Sequence, residues 1–233
     1  MKPTTRILTT LALAGGLSTA LFECQAPKRQ TLNPEQVHSN LVKTLTMDEG
    51  KRQWVYDDET GKRLLPGDKS KGKRTIGVGF NLERGPSAQE QIKSLERDYM
   101  KLYKGEASLT DDEINYLLNQ DIQDSVADAQ KFVGKENYDR LDTRAQEVVI
   151  NMAFNLGYNG LSKFKKFKSA LQQQDYDWAA MEMESSLWYY QTGNRAKRLV
   201  EKMGAINNSG GIKPRPWVSS LLEDLKYRVK SLK

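Results

Sequence analysis

Two hydrophobic periodicities divide the chain, and their order along it constrains the fold most strongly. Strand-like segments occur at 54–56 and from Thr75 to Phe80. Turn-forming residues at 57–61 follow the first segment. From Pro86 onward, apolar residues instead recur at a spacing near that of an α-helix. We therefore predict an α+β fold that is mostly helical, with a small β-sheet near the N-terminus of the domain.

Cap and breaker residues predict where the helices begin and end. Asn33-Pro34 predicts a helix start, Glu49-Gly50 predicts its end, and Pro86-Ser87 opens a helix expected to include Leu102. Thr110-Asp111-Asp112-Glu113 has the pattern of a capping box. Later helices are expected over 148–156, buried on all sides, and over 178–188 and 196–203. This order predicts a sheet lobe, a long connecting helix and a helical C-terminal lobe, with a cleft between the lobes.

The two ends of the chain differ from the middle. Lys2 and Arg6 precede an apolar run at 7–22, so residues 1–24 are predicted to be a signal peptide or a signal-anchor that makes transient membrane contact. Export to the periplasm or to the exterior would follow. Residues 25–32 are interpreted as a linker. Residues 207–233 form a C-terminal extension with a basic amphipathic helix, which either lies on an anionic membrane or packs on its own protein.

Composition narrows the chemistry. A net charge of +6 permits binding to nucleic acid, anionic lipid or cell wall, but the chain has no nucleic-acid motif of recognisable spacing, so no nucleic-acid partner is predicted. The only cysteine is Cys24 and the only histidine is His38, which excludes zinc spacings and histidine-based triads. We expect no metal and no cofactor, and we expect a monomer. Acid–base work must then use Asp, Glu, Lys or Tyr.

Two carboxylates have a suggestive placement. Glu49 lies where a helix ends, and Asp58 follows nine residues later in the turn of the predicted hairpin. A rigid helix end can direct one carboxyl group at a sheet edge that carries another, and glycoside cleavage requires two such groups. The chain contains 30 acidic residues, so the spacing alone leaves open that both are ordinary surface carboxylates.

The pattern around these residues resembles the phage lysozymes of glycoside hydrolase family 24. Their signature is matched by Glu49, by Asp58 and by the strand Thr75-Ile76-Gly77-Val78-Gly79. Further similar segments follow in the family's order, the most specific being 188–198. The resemblance covers about residues 38–206, so we assign residues 33–206 to a phage-type lysozyme domain with a lysozyme-like two-lobe fold.

The resemblance also implies a function and a set of residue roles. The family cleaves the β-1,4 bond between N-acetylmuramic acid and N-acetylglucosamine, which makes peptidoglycan glycan strands the expected partner. By similarity, Glu49 would donate the proton, while Asp58 and Thr75 would hold and activate the attacking water, giving inversion. Arg195 would contact the catalytic Glu. The predicted substrate-binding residues are Phe154, Asn155, Gly79 and Phe80. The alternative is a non-catalytic wall-binding or membrane-perturbing basic protein. A catalytically inactive wall-binding protein would be expected to have lost Glu49 or Thr75.

The chain departs from the family pattern between the two strands. A basic insertion at about 62–74 separates Asp58 from Thr75, so Asp57 remains a rival for the second carboxylate. In the pesticin-like branch of the superfamily the acid follows the Thr instead. The corresponding position here is Asn81, which leaves Glu83 as the only substitute for that arrangement.

Overall fold

The computed structural model describes residues 33–206, so the predicted signal segment, linker and C-terminal extension lie outside the described residues. Within 33–206, none of the helices has the length and apolar character needed to cross a membrane. The strands are β1 Arg52–Asp57, β2 Arg74–Gly77 and β3 Phe80–Asn81. The helices are α1 Pro34–Glu49, α2 Pro86–Ser94, α3 Tyr99–Tyr103, α4 Asp111–Val133, α5 Lys135–Asp139, α6 Thr143–Leu161, α7 Lys165–Gln172, α8 Tyr176–Glu184, α9 Leu187–Thr192 and α10 Asn194–Gly204.

The sheet is antiparallel, with the strand order β1-β2-β3. Tyr56 pairs with Thr75 and Asp57 with Arg74, and the register is irregular between Arg52 and Tyr56. The other edge of β1 is bridged at Arg63, opposite Tyr56. The insertion at 62–74 therefore starts beside one edge of β1 and returns to pair with the other.

Local signals explain how α1 and α4 begin. Asn33 accepts a hydrogen bond from the Gln36 backbone at 2.8 Å, and Thr110 and Glu113 form the predicted reciprocal capping box. Each cap satisfies backbone N–H groups that have no partner within the helix. The predicted starts of these two helices are confirmed.

Helix α4 connects the sheet to the helical part of the molecule. Its first turns contact β2 and β3, where Ile114 lies against Gly77. Its most extensive packing is against α6. Buried residues from the sheet, α1, α4 and α6 belong to one apolar cluster, which includes Leu45, Ile76 and Val149. The predicted α+β, mostly helical fold with a small sheet and a long connecting helix is confirmed.

Three predicted elements have different bounds. The strand expected from Thr75 to Phe80 breaks after Gly77, because Gly77 and Gly79 both have positive φ angles. The helix expected to run from Pro86 through Leu102 divides at 95–98, where Glu96 has a φ of 57°. The segment 178–188 likewise spans two helices, α8 and α9.

The prediction of all-round burial over 148–156 is wrong for the last residues of that run. Residues 148–153 are buried, but Asn155 is exposed. Gly157 leaves the helical conformation at φ 62° and ψ 172°, which places a kink inside α6. The end of α6 therefore turns part of its surface away from the core.

Candidate active site

Glu49 is the last residue of α1. Gly50 follows with a φ of 74°, and its N–H donates to the Thr46 carbonyl at 3.0 Å, which ends the helix. A positive φ favours glycine, because a Cβ atom would be strained there. The Glu49 side chain keeps 25% of its surface exposed, so its carboxyl group is held by the fold and is still open to solvent.

Gly79 lies directly against the Glu49 carboxyl group. An added Cβ at Gly79 would lie 3.3 Å from Glu49 Cδ and 3.3 Å from Oε2, and the φ of +72° is itself unfavourable for any other residue. The predicted contact of Gly79 with substrate stays a prediction, and the observed feature is its approach to Glu49. Its missing side chain lets the backbone between β2 and β3 approach the carboxyl group.

Arg195, near the start of α10, reaches back across the molecule to Glu49. Its Nη1 donates to Glu49 Oε1, while Nε donates to Asn151 Oδ1 at 2.8 Å and Nη2 to the Asn151 carbonyl at 3.3 Å. The Arg195 side chain is only 9% exposed. With its other donors occupied by α6, the guanidinium fixes the direction of the Glu49 carboxyl group.

A second layer of charge surrounds this arginine. Asp48, whose side chain is 4% exposed, lies 3.4 Å from Arg195 Nε and pairs with Arg198 one turn further along α10. Buried charges require this kind of pairing. The sequence analysis assigned no role to Asp48, Asn151 or Arg198. Asn151 is a polar residue within an apolar helical run. Such a residue is expected to be buried and to form a hydrogen bond, so this pattern could have identified it.

Thr75 and Tyr56 lie opposite each other on β2 and β1. Both are almost completely buried, at 4% and 6% exposure, and directly paired residues direct their side chains to the same face of a sheet. Thr75 Oγ1 lies 3.4 Å from the Lys73 carbonyl, to which it donates. Thr75 is therefore fixed on the face of the sheet that carries Tyr56.

The electrostatic environment of Tyr56 includes both Glu49 and Asp58. Burial, the charge of Glu49 and, more weakly, the charge of Asp58 raise the pKa of Tyr56 to about 12, although Arg52 and a backbone hydrogen bond with Gly79 oppose the shift. A carboxylate raises the pKa of a phenol only when it is close. No role for Tyr56 was predicted from the sequence. Tyr56 is therefore within electrostatic range of both candidate carboxylates.

Asp58 follows β1 directly and is exposed. Its backbone N–H donates to the Lys73 carbonyl at 3.1 Å, so pairing with the approach to β2 continues past Asp57. Its Oδ1 accepts from the Lys73 N–H at 2.6 Å. Side chains alternate along a strand, so Asp58 shares the face of Tyr56. One side of its carboxylate is held by backbone, and the group remains accessible to water.

Asp57 lies in a different environment. Its carboxylate is 2% exposed and accepts hydrogen bonds from the backbone N–H groups of Glu59, Thr60, Lys71 and Gly72. Desolvation raises the pKa of Asp57, but these four amide donors together lower it below its ordinary value. The group therefore clamps the insertion to the hairpin, and its lone pairs are occupied by backbone rather than available to a water molecule.

Glu83 is also engaged elsewhere. Its carboxylate accepts from Tyr103 Oη at 3.3 Å and lies 3.3 Å from Lys73 Nζ. Arg74 is the neighbour of Thr75, and its side chain faces the other side of β2. Its backbone N–H donates to Glu83 Oε1 at 3.4 Å. Glu83 is therefore held by Lys73, Arg74 and Tyr103, whereas Asp58 remains exposed.

The predicted substrate-binding residues divide into different environments. Phe80 is 1% exposed, with the Arg84 guanidinium 4.1 Å from its ring centre, so the ring packs in the core and its contact with substrate stays a prediction. Phe154 is partly buried and packs on the core. Asn155 is exposed, and its Oδ1 accepts from Trp188 Nε1 at 2.9 Å, which leaves its amide N–H groups for other partners.

Between residues 33 and 206, no group of three or more His, Cys, Asp or Glu side chains is arranged to hold a metal ion. The groups at the candidate site that can take part in acid–base chemistry include the carboxylates of Glu49 and Asp58. Glu49 lies where α1, the sheet and α10 meet, with Asp58 on the neighbouring sheet face. A helical protein whose first helix presents a carboxylate to a small antiparallel sheet has a lysozyme-like fold.

Comparison with known proteins defines the family within this class. The sequence profile of the family described as phage lysozyme matches residues 49–205, about two thirds of the chain. The chain belongs to the phage lysozyme family. Its matched segment starts at Glu49 and includes Arg195, so both ends of the ion pair described above lie within it.

Several relatives are similar over most of the chain. Probable T4-type lysozyme 2 of Dictyostelium discoideum is 28% identical over 167 residues, which cover 70% of this chain and 92% of the relative. Probable T4-type lysozyme 1 of the same organism is 27% identical, with coverage of 72% and 97%. The pre-baseplate central spike protein Gp5 of Enterobacteria phage T4 is 28% identical, with coverage of 79% of this chain but only 31% of that protein.

Proposed function

We propose that the protein is a muramidase that hydrolyses the β-1,4 bond between N-acetylmuramic acid and N-acetylglucosamine in bacterial peptidoglycan. The observation that carries this proposal is the placement of Glu49: it ends a rigid helix, its carboxyl group lies against Gly79, and Arg195 fixes its direction. Membership of the phage lysozyme family and the names of the relatives support the same activity.

In the proposed reaction Glu49 is the general acid. Its carboxyl group donates a proton to the glycosidic oxygen as the bond to the anomeric carbon breaks. Positioning within hydrogen-bond reach is the first requirement for such a donor, and both Gly79 and Arg195 restrict where the carboxyl group can go.

Asp58 acts with Thr75 on the attacking water. The accessible carboxylate takes the proton of a water molecule that attacks the anomeric carbon from the face opposite the leaving group, while the Thr75 hydroxyl group orients that water. A single displacement of this kind inverts the configuration. Tyr56, which is buried and feels the charge of both Glu49 and Asp58, belongs to the same region of the protein.

Turbidity loss of purified cell walls tests the proposal. Glu49→Gln preserves the size and an acceptor oxygen for Arg195 but cannot donate the proton, so the rate should fall at least about a hundredfold. Glu59→Gln is the matched control, because Glu59 is an exposed acidic residue of the same hairpin and should leave the rate unchanged. Equal lysis by wild type and Glu49→Gln would defeat the proposal and favour a non-catalytic wall-binding or membrane-perturbing protein.

Product analysis tests the bond and the stereochemistry. A muramidase releases fragments with a reducing N-acetylmuramic acid end, whereas cleavage at the alternate bond releases a reducing N-acetylglucosamine end. Proton NMR of the first product formed should show the α anomer, as inversion of a β linkage requires. A β anomer at early times would contradict the role of Asp58 as a base acting through water.

Export is part of this proposal, because peptidoglycan lies outside the cytoplasmic membrane. The basic start and apolar run within residues 1–24 support it. Mass spectrometry of the protein recovered from the cell exterior or periplasm tests it. A new N-terminus near Ala20 would identify a cleaved signal, an intact Met1 would identify a releasable anchor, and recovery from the cytoplasm alone would contradict export.

A further inference from the structure

The basic insertion at 62–74 carries most of the chain's excess positive charge. It contains six basic residues and one acidic residue, against a net charge of +6 for the whole chain. Arg63 stacks on Trp54 with its guanidinium carbon 3.7 Å from the ring centre, Arg74 donates to the Tyr103 carbonyl at 3.0 Å, and Lys73 pairs with Glu83. Three of the six therefore have structural partners.

The remaining three are Lys62, Lys69 and Lys71. All three are exposed, and none forms an ion pair within the described residues. Their charge is not used by the fold, because the insertion is held by other groups. Unpaired cations on a fixed surface provide binding sites for anions.

The insertion has a defined structure rather than a loose one. Lys62 accepts from the Asp57 N–H at 2.9 Å, and Leu64, 4% exposed, donates to the Val55 carbonyl at 2.9 Å. At its other end, the Lys71 N–H donates to Asp57 Oδ2 at 2.5 Å. Asp57 therefore fixes both ends, and the three lysines extend from a backbone that is already ordered.

The same backbone touches the candidate active site. Lys73 donates its N–H to Asp58 Oδ1 at 2.6 Å, two residues after Lys71. The basic surface formed by Lys62, Lys69 and Lys71 is therefore carried by the same insertion whose backbone binds the carboxylate proposed to activate water. A glycan strand with its scissile bond at Glu49 and Asp58 would bring its substituents close to this insertion.

We propose that Lys62, Lys69 and Lys71 bind the carboxylates of the peptide stems that project from the glycan strand of peptidoglycan. The proposal rests on the proposed function, since the stems reach this surface only when glycan occupies the site. Stem carboxylates are the anions nearest to a bound glycan, because they are attached to the muramic acid residues themselves. Exposed pairs of this kind are weak individually, so the three lysines act together.

Substitution of the three lysines tests the proposal on two substrates. With K62Q/K69Q/K71Q, kcat/KM on peptide-bearing glycan at low salt should fall about tenfold, while cleavage of glycan freed of its stems by an amidase, which keeps only the lactyl carboxylate of each muramic acid, should fall much less. The loss should disappear at high ionic strength, because salt screens exposed pairs. No loss on the peptide-bearing substrate, or an equal loss on both, would overturn the proposal.

Two matched variants separate charge from other effects. K62R/K69R/K71R keeps the charges and should retain wild-type rates on both substrates. K163Q/K165Q/K166Q removes three exposed lysines from the α6–α7 corner, and it should not reproduce the substrate-dependent loss. If it reproduced that loss, general attraction to an anionic wall would replace a specific surface at 62–71.

The source of the anion is tested separately. Walls stripped of phosphate-bearing polymers but retaining their stems should still show the tenfold difference between wild type and K62Q/K69Q/K71Q. If the difference vanished, wall phosphate would be the ligand and the proposal would be wrong.

NMR titration of wild-type protein with a free stem peptide should shift the backbone amides of 62–73. This binding does not need catalysis. Chemical-shift changes in a protein that cleaves no glycan would therefore refute the proposed function but support stem binding by this surface.

Discussion

Adjacent residues of a strand face opposite sides of a sheet, and this alternation separates Asp57 from Asp58. Asp57 accepts from backbone amides of the hairpin and the insertion, whereas Asp58 is exposed beside Tyr56. Asp58→Asn should lower kcat on cell walls by about a hundredfold or more with an unchanged melting temperature, since it removes only the base.

Asp57→Asn should have the opposite profile. It replaces an acceptor of several amide hydrogen bonds by a group that also donates, so the melting temperature should fall while kcat falls much less than in Asp58→Asn. Steady-state kinetics and thermal unfolding of both variants measure the contrast. If Asp57→Asn abolished turnover without loss of stability, the second carboxylate would be Asp57.

Gly79 offers a second test at the residue scale. Gly79→Ala places a methyl group about 3.2 Å from Glu49 Cγ, at a φ of +72°, so the carboxyl group must move and kcat should fall at least about tenfold, as displacement of a reacting group by a fraction of an ångström does. Gly85→Ala is the control, because Gly85 has a φ of +99° with no neighbour within 4 Å. A comparable loss of kcat in both variants would attribute the effect to backbone strain alone.

Sequence patterns predicted some of these residues and not others. Glu49, Thr75 and Arg195 follow from the resemblance, and the structure brings Glu49 and Arg195 into contact although they lie 146 residues apart. The choice between Asp57 and Asp58 depends on strand register and on which backbone amides the insertion presents. Neither is encoded in local spacing. The burial of Phe80 was missed because a glycine-flanked aromatic has the same pattern in a core as in a cleft.

At the scale of elements, helix starts were easier to predict than helix interiors. Asn33 and Thr110 start helices through side chains that bond the nearby backbone, so the information is local. The break between α2 and α3 is not local in this sense. Glu96 adopts a φ of 57° there, and Asp98 caps the new helix by accepting from Lys101 at 3.1 Å.

The insertion should lose its anchor in acid. The folded-state pKa of Asp57 is lowered from 3.8, so the ionised form stabilises the native protein at pH values above 3.8, and that contribution is lost as the pH falls through the lower folded value. In urea unfolding, wild type should exceed Asp57→Asn in stability by a constant amount near neutral pH. The difference should shrink progressively below pH 3.8. A difference that stayed constant into strong acid would show that the Asp57 charge does not hold the insertion.

At the scale of the whole molecule, three elements distant in sequence form one site. Helix α1 supplies Glu49, the sheet supplies Thr75 and the neighbourhood of Asp58, and α10 supplies Arg195. The single apolar cluster that joins the sheet to the helices keeps these elements in register. The site is therefore a property of the complete domain.

The domain closes at the end of α10. Met203 is fully buried, Ile206 is 6% exposed, and the Ala205 carbonyl accepts from Arg144 Nη1 at 3.3 Å. The family match ends at residue 205. We therefore predict that the site assembles from residues 33–206.

Removal of residues 207–233 should therefore leave kcat/KM on soluble peptidoglycan fragments within about twofold of the full chain, with the same melting temperature, because a change of that size corresponds to a fraction of one weak contact. Co-sedimentation with anionic vesicles, compared between the two proteins, then isolates the contribution of the basic extension. Vesicle binding lost together with the extension would favour its membrane role. A drop in melting temperature or in kcat/KM would instead show that the extension packs on the domain and completes it.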